Sequence, residues 1–118
     1  MTTDETPILD LSAALDRVEG DREFYAELVA LLMSEFEISV QKMRALLEQN
    51  NSTELQSTAH AIKSALGNLG AMRCHKLAFA LECCGRDAKL KDAPALLNQL
   101  IAEFSNFEKA YSDLSKGA

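Results

Sequence analysis

The sequence predicts an all-α protein, an antiparallel four-helix bundle with an additional short N-terminal helix. Three observations carry that expectation. Apolar residues recur at helical spacing almost end to end, and no strand-like alternation lasts beyond a few residues. Two prolines and five glycines in 118 residues are too few for a loop-rich sandwich. The polar breaks between periodic stretches are short, which makes consecutive helices antiparallel neighbours. A chain of this length has room for one core and forms one domain, residues 1–118, with flexible ends expected at 1–8 and 116–118.

The first, short helix is expected from about Leu11 to Val18, closed by Gly20. Asp21 is placed to cap a long helix reaching about Gln49, whose apolar stripe reads Phe24, Leu28, Leu31, Leu32, Phe36, Met43, Leu46 and Leu47. The run Asn50-Asn51-Ser52 breaks it, with Ser52 as the next cap. The third helix carries Leu55, Ala59, Ile62, Leu66 and Leu69 at steps of four and three, a narrow heptad-like stripe. Asn68, Gly70 and Ala71 mark a tight turn. The fourth helix turns Cys74, Leu77, Leu81 and Cys84 inward, and residues 87–91 form a polar connection. Asp92 then caps the last helix, with Pro94 in the first turn, where a missing amide hydrogen costs little. Its stripe is Leu97, Leu100, Ile101, Phe104, Phe107, Tyr111 and Leu114.

Composition excludes several functions. A net charge of −6 argues against a nucleic-acid binder. No apolar run approaches membrane-spanning length and no charged-then-apolar leader opens the chain, which predicts a soluble cytoplasmic domain with no membrane partner. There is no glycine-rich phosphate loop, dinucleotide fingerprint or nucleophile elbow, so an enzyme with its own nucleotide site is not expected. The charge is unevenly spread: −8 over residues 1–55, +4 over 56–91 and −2 over 92–118. The middle third is therefore the part suited to a negative partner. Three cysteines, Cys74, Cys83 and Cys84, are an odd number, and adjacent helical residues point about 100° apart, a poor geometry for a disulfide. Neither they nor the histidines show the spacing of a zinc site. Buried free thiols and no metal are expected.

His60 stands apart. With Leu55 at zero and about 100° per residue, the third-helix stripe stays within about 40° of Leu55, whereas His60 falls at about 140°. Gln56, Lys63, Ser64 and Gly67 share its side of the helix. Lys63 offers a cation one turn on. Gly67, which costs a helix about 1 kcal/mol relative to alanine, offers clearance for an approaching protein. A nucleophilic nitrogen, a cation and open space suit an incoming phosphoryl group. If the turn centres on Ala71, antiparallel partners have numbers summing to about 142, which sets Glu82 level with His60. A carboxylate accepting from Nδ1–H would fix the tautomer and leave the Nε2 lone pair free, although a glutamate pointing into water fits the same arithmetic. His75, without a glycine gap or a lysine three residues on, reads as a surface residue.

The run Ala59-His60-Ala61-Ile62-Lys63-Ser64-Ala65-Leu66-Gly67-Asn68-Leu69-Gly70-Ala71 resembles the signature of histidine-containing phosphotransfer (HPt) domains: a histidine, a lysine three residues later, a small residue next, and a glycine ten residues after the histidine. His60, Lys63, Ser64 and Gly70 hold those places. The likeness continues through Leu77-Ala78 and Leu81-Glu82. Ser64 departs from the glycine common after the lysine.

The resemblance implies a phosphorelay carrier phosphorylated on His60 at Nε2, with Lys63 stabilising charge and Glu82 orienting the ring. Gln56, Ser64, Gly67 and Gly70 then provide access and packing around the site. Implied partners are response-regulator receiver domains and a hybrid sensor histidine kinase. The receiver brings Mg²⁺, and this chain binds no cofactor of its own. A monomer is expected. The alternative is a non-catalytic helical adaptor that binds receivers without transferring phosphate.

Overall fold

A computed structural model describes residues 5–117, with side chains to Leu114. Five helices follow one another: α1 (Leu11–Arg17), α2 (Arg22–Glu48), α3 (Ser52–Asn68), α4 (Met72–Arg86) and α5 (Ala93–Gly117), with no strand among the described residues. The caps explain the boundaries. Asp10 accepts from the Ala13 amide and Asp21 from the Phe24 amide, so each acid satisfies an otherwise orphaned N–H. Before α3 that role falls to Asn51, accepting from Glu54 at 3.1 Å, so the cap lies one residue ahead of Ser52. Asn50 adopts the left-handed conformation at φ 53°, which asparagine tolerates. Pro94 is the second residue of α5, as expected.

The four long helices enclose one core, with Phe104 stacked on Phe36 at 3.8 Å between ring centroids and on Phe107 at 5.7 Å. All five residues of the third-helix stripe are buried. The α2 stripe is rotated from expectation: the buried residues are Tyr25, Val29, Leu32, Phe36, Val40, Met43 and Leu46, while Phe24 and Leu31 face out. Apolar residues stand side by side at 24–25, 28–29 and 31–32, so periodicity leaves the orientation open by one residue. Tyr25 decides it, because its hydroxyl donates to the Leu69 carbonyl at 2.7 Å inside the bundle. On α4, Ala78 and Gly85 take the buried places beside Cys74 and Leu81, and Leu77 and Cys84 are only half-buried. Leu114, expected inside, is exposed.

The segment before α1 packs on the bundle. Ile8 and Leu9 lie against the core, Arg73 Nε donates to the Thr6 carbonyl at 2.7 Å, and Asp10 N donates to the Gly70 carbonyl at 2.8 Å. Of the ends expected to be flexible, residues 1–4 and 118 lie outside the described residues, and α5 continues to Gly117.

Candidate functional site

His60 lies near the middle of α3, and its ring is 60% exposed. Helix α4 runs antiparallel beside it and presents Glu82 at the same level. Glu82 Oε2 lies 3.0 Å from His60 Nδ1, the contact of an Nδ1–H donating to a carboxylate. In the neutral ring that tautomer leaves Nε2 without a proton. The arithmetic that set residue 82 level with residue 60 is met by the side chains.

Lys63 is already engaged. Its ammonium does not stand open beside the imidazole but lies 2.7 Å from the second Glu82 oxygen, Oε1, and 5.2 Å above the Phe79 ring. The side chain is only 17% exposed. One carboxylate thus joins the histidine and the lysine. Glu82 is held below the usual carboxylate range, first by the hydrogen bond from Lys63 and also by His60, against the opposing effect of desolvation. With a neutral imidazole, the three groups carry no net charge together.

Of two glycines, Gly67 is reassigned and Gly70 keeps its place in the turn. Gly67 does not leave room for a partner; its room is filled from within by the His75 ring. A β-carbon at Gly67 would lie 2.7 Å from His75 Nδ1, and that nitrogen sits 3.0 Å from the Lys63 carbonyl, to which its N–H donates. His75 is therefore a half-buried packing residue between α3 and α4, not a surface one. Gly70 belongs to the end of the bundle: its φ of +83° forms the turn, and a β-carbon there would lie 2.5 Å from the Asp10 carbonyl oxygen. Ser64 is exposed beside His60, its hydroxyl donating to the His60 carbonyl at 3.2 Å, a bond within the helix that takes up the donor added in place of glycine. Gln56 is half-buried one turn before His60, its backbone against Gly85.

Sequence reasoning missed Phe79, His75 and Gly85. The sum of 142 that found Glu82 also pairs residue 75 with residue 67, and applied along the whole hairpin it finds His75. Within the positive middle segment, whose +4 already counts Glu82 and Asp87, Lys63 pairs with Glu82, Arg86 with Asp87 at 3.1 Å, and Arg73 with Glu103, an acid outside the segment, at 3.8 Å. All three cysteines are free thiols, and burial pushes Cys74 up to about 12. Among the described residues no cluster of three His, Cys, Asp or Glu side chains is arranged to hold a metal. No helix among them is long and apolar enough to cross a membrane.

Residues 27–110, which include the whole α3–α4 hairpin, match the Hpt domain family. The chain belongs to that family. Its fold is similar to that of the histidine-containing phosphotransfer protein HptB from Pseudomonas aeruginosa PAO1, with a TM-score of 0.81 at 24% identity over 97% of this chain and 99% of that one. It is also similar to the phosphotransfer protein MtHPt2 from Medicago truncatula, with a TM-score of 0.77 at 23% identity over 92% of this chain and 78% of that one. No curated protein matches the sequence. Hpt domains are phosphocarriers rather than kinases, and membership gives this chain a histidine phosphotransfer role in a phosphorelay, among receiver domains.

Proposed function

We propose that His60 is the residue phosphorylated, and that the chain relays the group from the receiver aspartate of a hybrid sensor histidine kinase to that of a response regulator. The observation that carries this reading is the 3.0 Å contact from Glu82 to Nδ1 of a ring that is 60% exposed. A nucleophile needs an available lone pair, access and an orienting group, and His60 combines all three.

In the transfer, the Nε2 lone pair attacks phosphorus in line, the bond from phosphorus to the aspartyl oxygen breaks, and the carboxylate leaves with the electron pair. Positive charge spreads over the imidazole as the new bond forms, and its Nδ1–H end faces Glu82. Lys63 has three donors and spends one on Glu82, which leaves others for a phosphoryl oxygen. Mg²⁺ belongs to the receiver in this reading, where it offsets charge on the transferring group. The chain acts as a monomeric cytoplasmic carrier with no kinase activity of its own.

The receiver docks across α2 and α3. Leu31 and Ile38 are 55% and 68% exposed on α2, and the exposed Ala61 adjoins His60 on α3, with shallow grooves between the helices. Ala61 lines one of these grooves and is the chain neighbour of His60, so a partner seated there is brought toward Nε2.

Incubation with a phosphorylated receiver is expected to give an acid-labile, base-stable phosphoprotein, and His60→Gln to abolish it. Label persisting in that variant would remove His60 from the reaction. Receiver binding without transfer, unaffected by His60→Gln, would support the adaptor reading instead.

A further inference from the structure

Gly85 occupies the last turn of α4, fully inside the bundle, in ordinary helical conformation. No turn or left-handed φ calls for a glycine there, and glycine destabilises a helix relative to alanine. Its surroundings supply the reason. A β-carbon at Gly85 would lie 2.5 Å from the Gln56 amide nitrogen, 2.7 Å from the Ser52 carbonyl oxygen and 2.8 Å from the Gln56 α-carbon. These are backbone atoms of the first turn of α3, so no side chain can swing aside to make room.

We propose that Gly85 is a positioning residue for phosphotransfer: by letting α4 rest on the α3 backbone, it sets the helix separation at which Glu82 reaches His60 and Lys63 together. This inference rests on the assignment of His60 as the phosphoryl acceptor. Gln56 lies four residues before His60 and Gly85 three residues after Glu82, so the contact sits one turn, about 6 Å, from the pair it supports. Glu82 has little slack. Its two oxygens are engaged at 3.0 Å and 2.7 Å by groups on the opposite helix. Restoring ordinary contact distance around an added methyl group needs α4 to retreat by about 0.5–1 Å. A retreat of that size carries the Nδ1 contact to about 3.5 Å or beyond, past the range of a useful hydrogen bond. Lys63, on a flexible four-carbon stem, can follow the carboxylate; the histidine ring has no such reach. The imidazole therefore loses its partner first.

The test is Gly85→Ala in the full chain, read by transfer from a phosphorylated receiver, by the nitrogen-15 NMR tautomer signature of His60, and by circular dichroism for the fold. Expected are a folded helical protein, transfer slowed by about tenfold to a hundredfold, and a smaller share of the Nδ1–H tautomer. In a Glu82→Ala background the same substitution is expected to slow transfer no further, because the contact it disturbs is already gone. An unchanged tautomer and rate, or an equal further slowing without Glu82, overturns the proposal. If Gly85→Ala does not fold, Glu82→Asp withdraws the carboxylate by one methylene with the backbone in place. It is expected to give the same two losses, and wild-type behaviour in that variant also overturns the proposal. A wild-type chain that accepts no phosphate refutes the assignment of His60 instead, and the tautomer measurement still decides what Gly85 does.

Discussion

At His60 an imidazole and an ammonium group divide the two oxygens of one carboxylate, so Glu82 holds the ring and the cation together. The arrangement has a pH signature. A carboxyl whose folded pKa lies below its unfolded value stabilises the fold above the unfolded value and loses that contribution as pH falls through the folded one. Glu82 is such a group, with Lys63 the largest cause, so its contribution is present at neutral pH and fades below about 4.5, the ordinary value for the carboxyl. Lys63→Met is expected to cost more stability at neutral pH than in acid below the folded value of Glu82, where a protonated carboxyl has no ion pair left to lose. Urea midpoints across that range measure it, and a pH-independent difference would deny the linkage. The identity of Glu82 was legible because antiparallel geometry converts residue number into level along the hairpin. The whereabouts of the Lys63 ammonium was not, because a helical wheel fixes the direction of Cβ, and four further bonds decide where the charge rests.

Helix limits were legible for a local reason: Asp21, read as a cap, accepts from an amide three residues on, and Asp10 and Asn51 do the same at starts where no cap or the neighbouring Ser52 was read. What periodicity does not carry is how closely two helices approach. Ala78 and Gly85, rather than Leu77 and Cys84, are buried on α4, and that choice depends on α3, not on the α4 sequence alone. The Gly67 notch and the His75 ring that fills it are a second case. Gly67→Ala is expected to cost about 1–3 kcal/mol by overpacking, and His75→Ala about 1–2 kcal/mol through the lost bond to the Lys63 carbonyl. Combined, they are expected to fall short of the sum by at least about 0.5 kcal/mol, because the methyl group then enters vacated space. Denaturant unfolding of the four proteins measures the coupling, and strict additivity would mean that ring and notch are independent.

For the molecule as a whole, fold class and helix order followed from short breaks between periodic runs, whereas the surface potential did not follow from the charge count. The +4 of residues 56–91 already counts Glu82 and Asp87, and the pairing of those carboxylates with Lys63 and Arg86 puts the excess on Arg73, Lys76, Lys89 and Lys91 rather than on the lysine nearest His60. With a neutral imidazole the His60, Lys63 and Glu82 cluster carries no net charge and adds no attraction of its own for an acidic partner at a distance. In the proposed docking, encounter with a receiver then depends on diffusion and on the apolar contact offered by Leu31, Ile38 and Ala61. The bimolecular rate of transfer is accordingly expected to hold level or rise as salt increases from about 0.05 to 0.5 M, over which the screening length shortens severalfold. Stopped-flow measurement of that rate decides the matter, and a tenfold decline would reveal steering by basic side chains. The internal ion pair thus leaves the cluster around His60 with little pull on a partner from afar, and selectivity there rests on the fit of surfaces after collision.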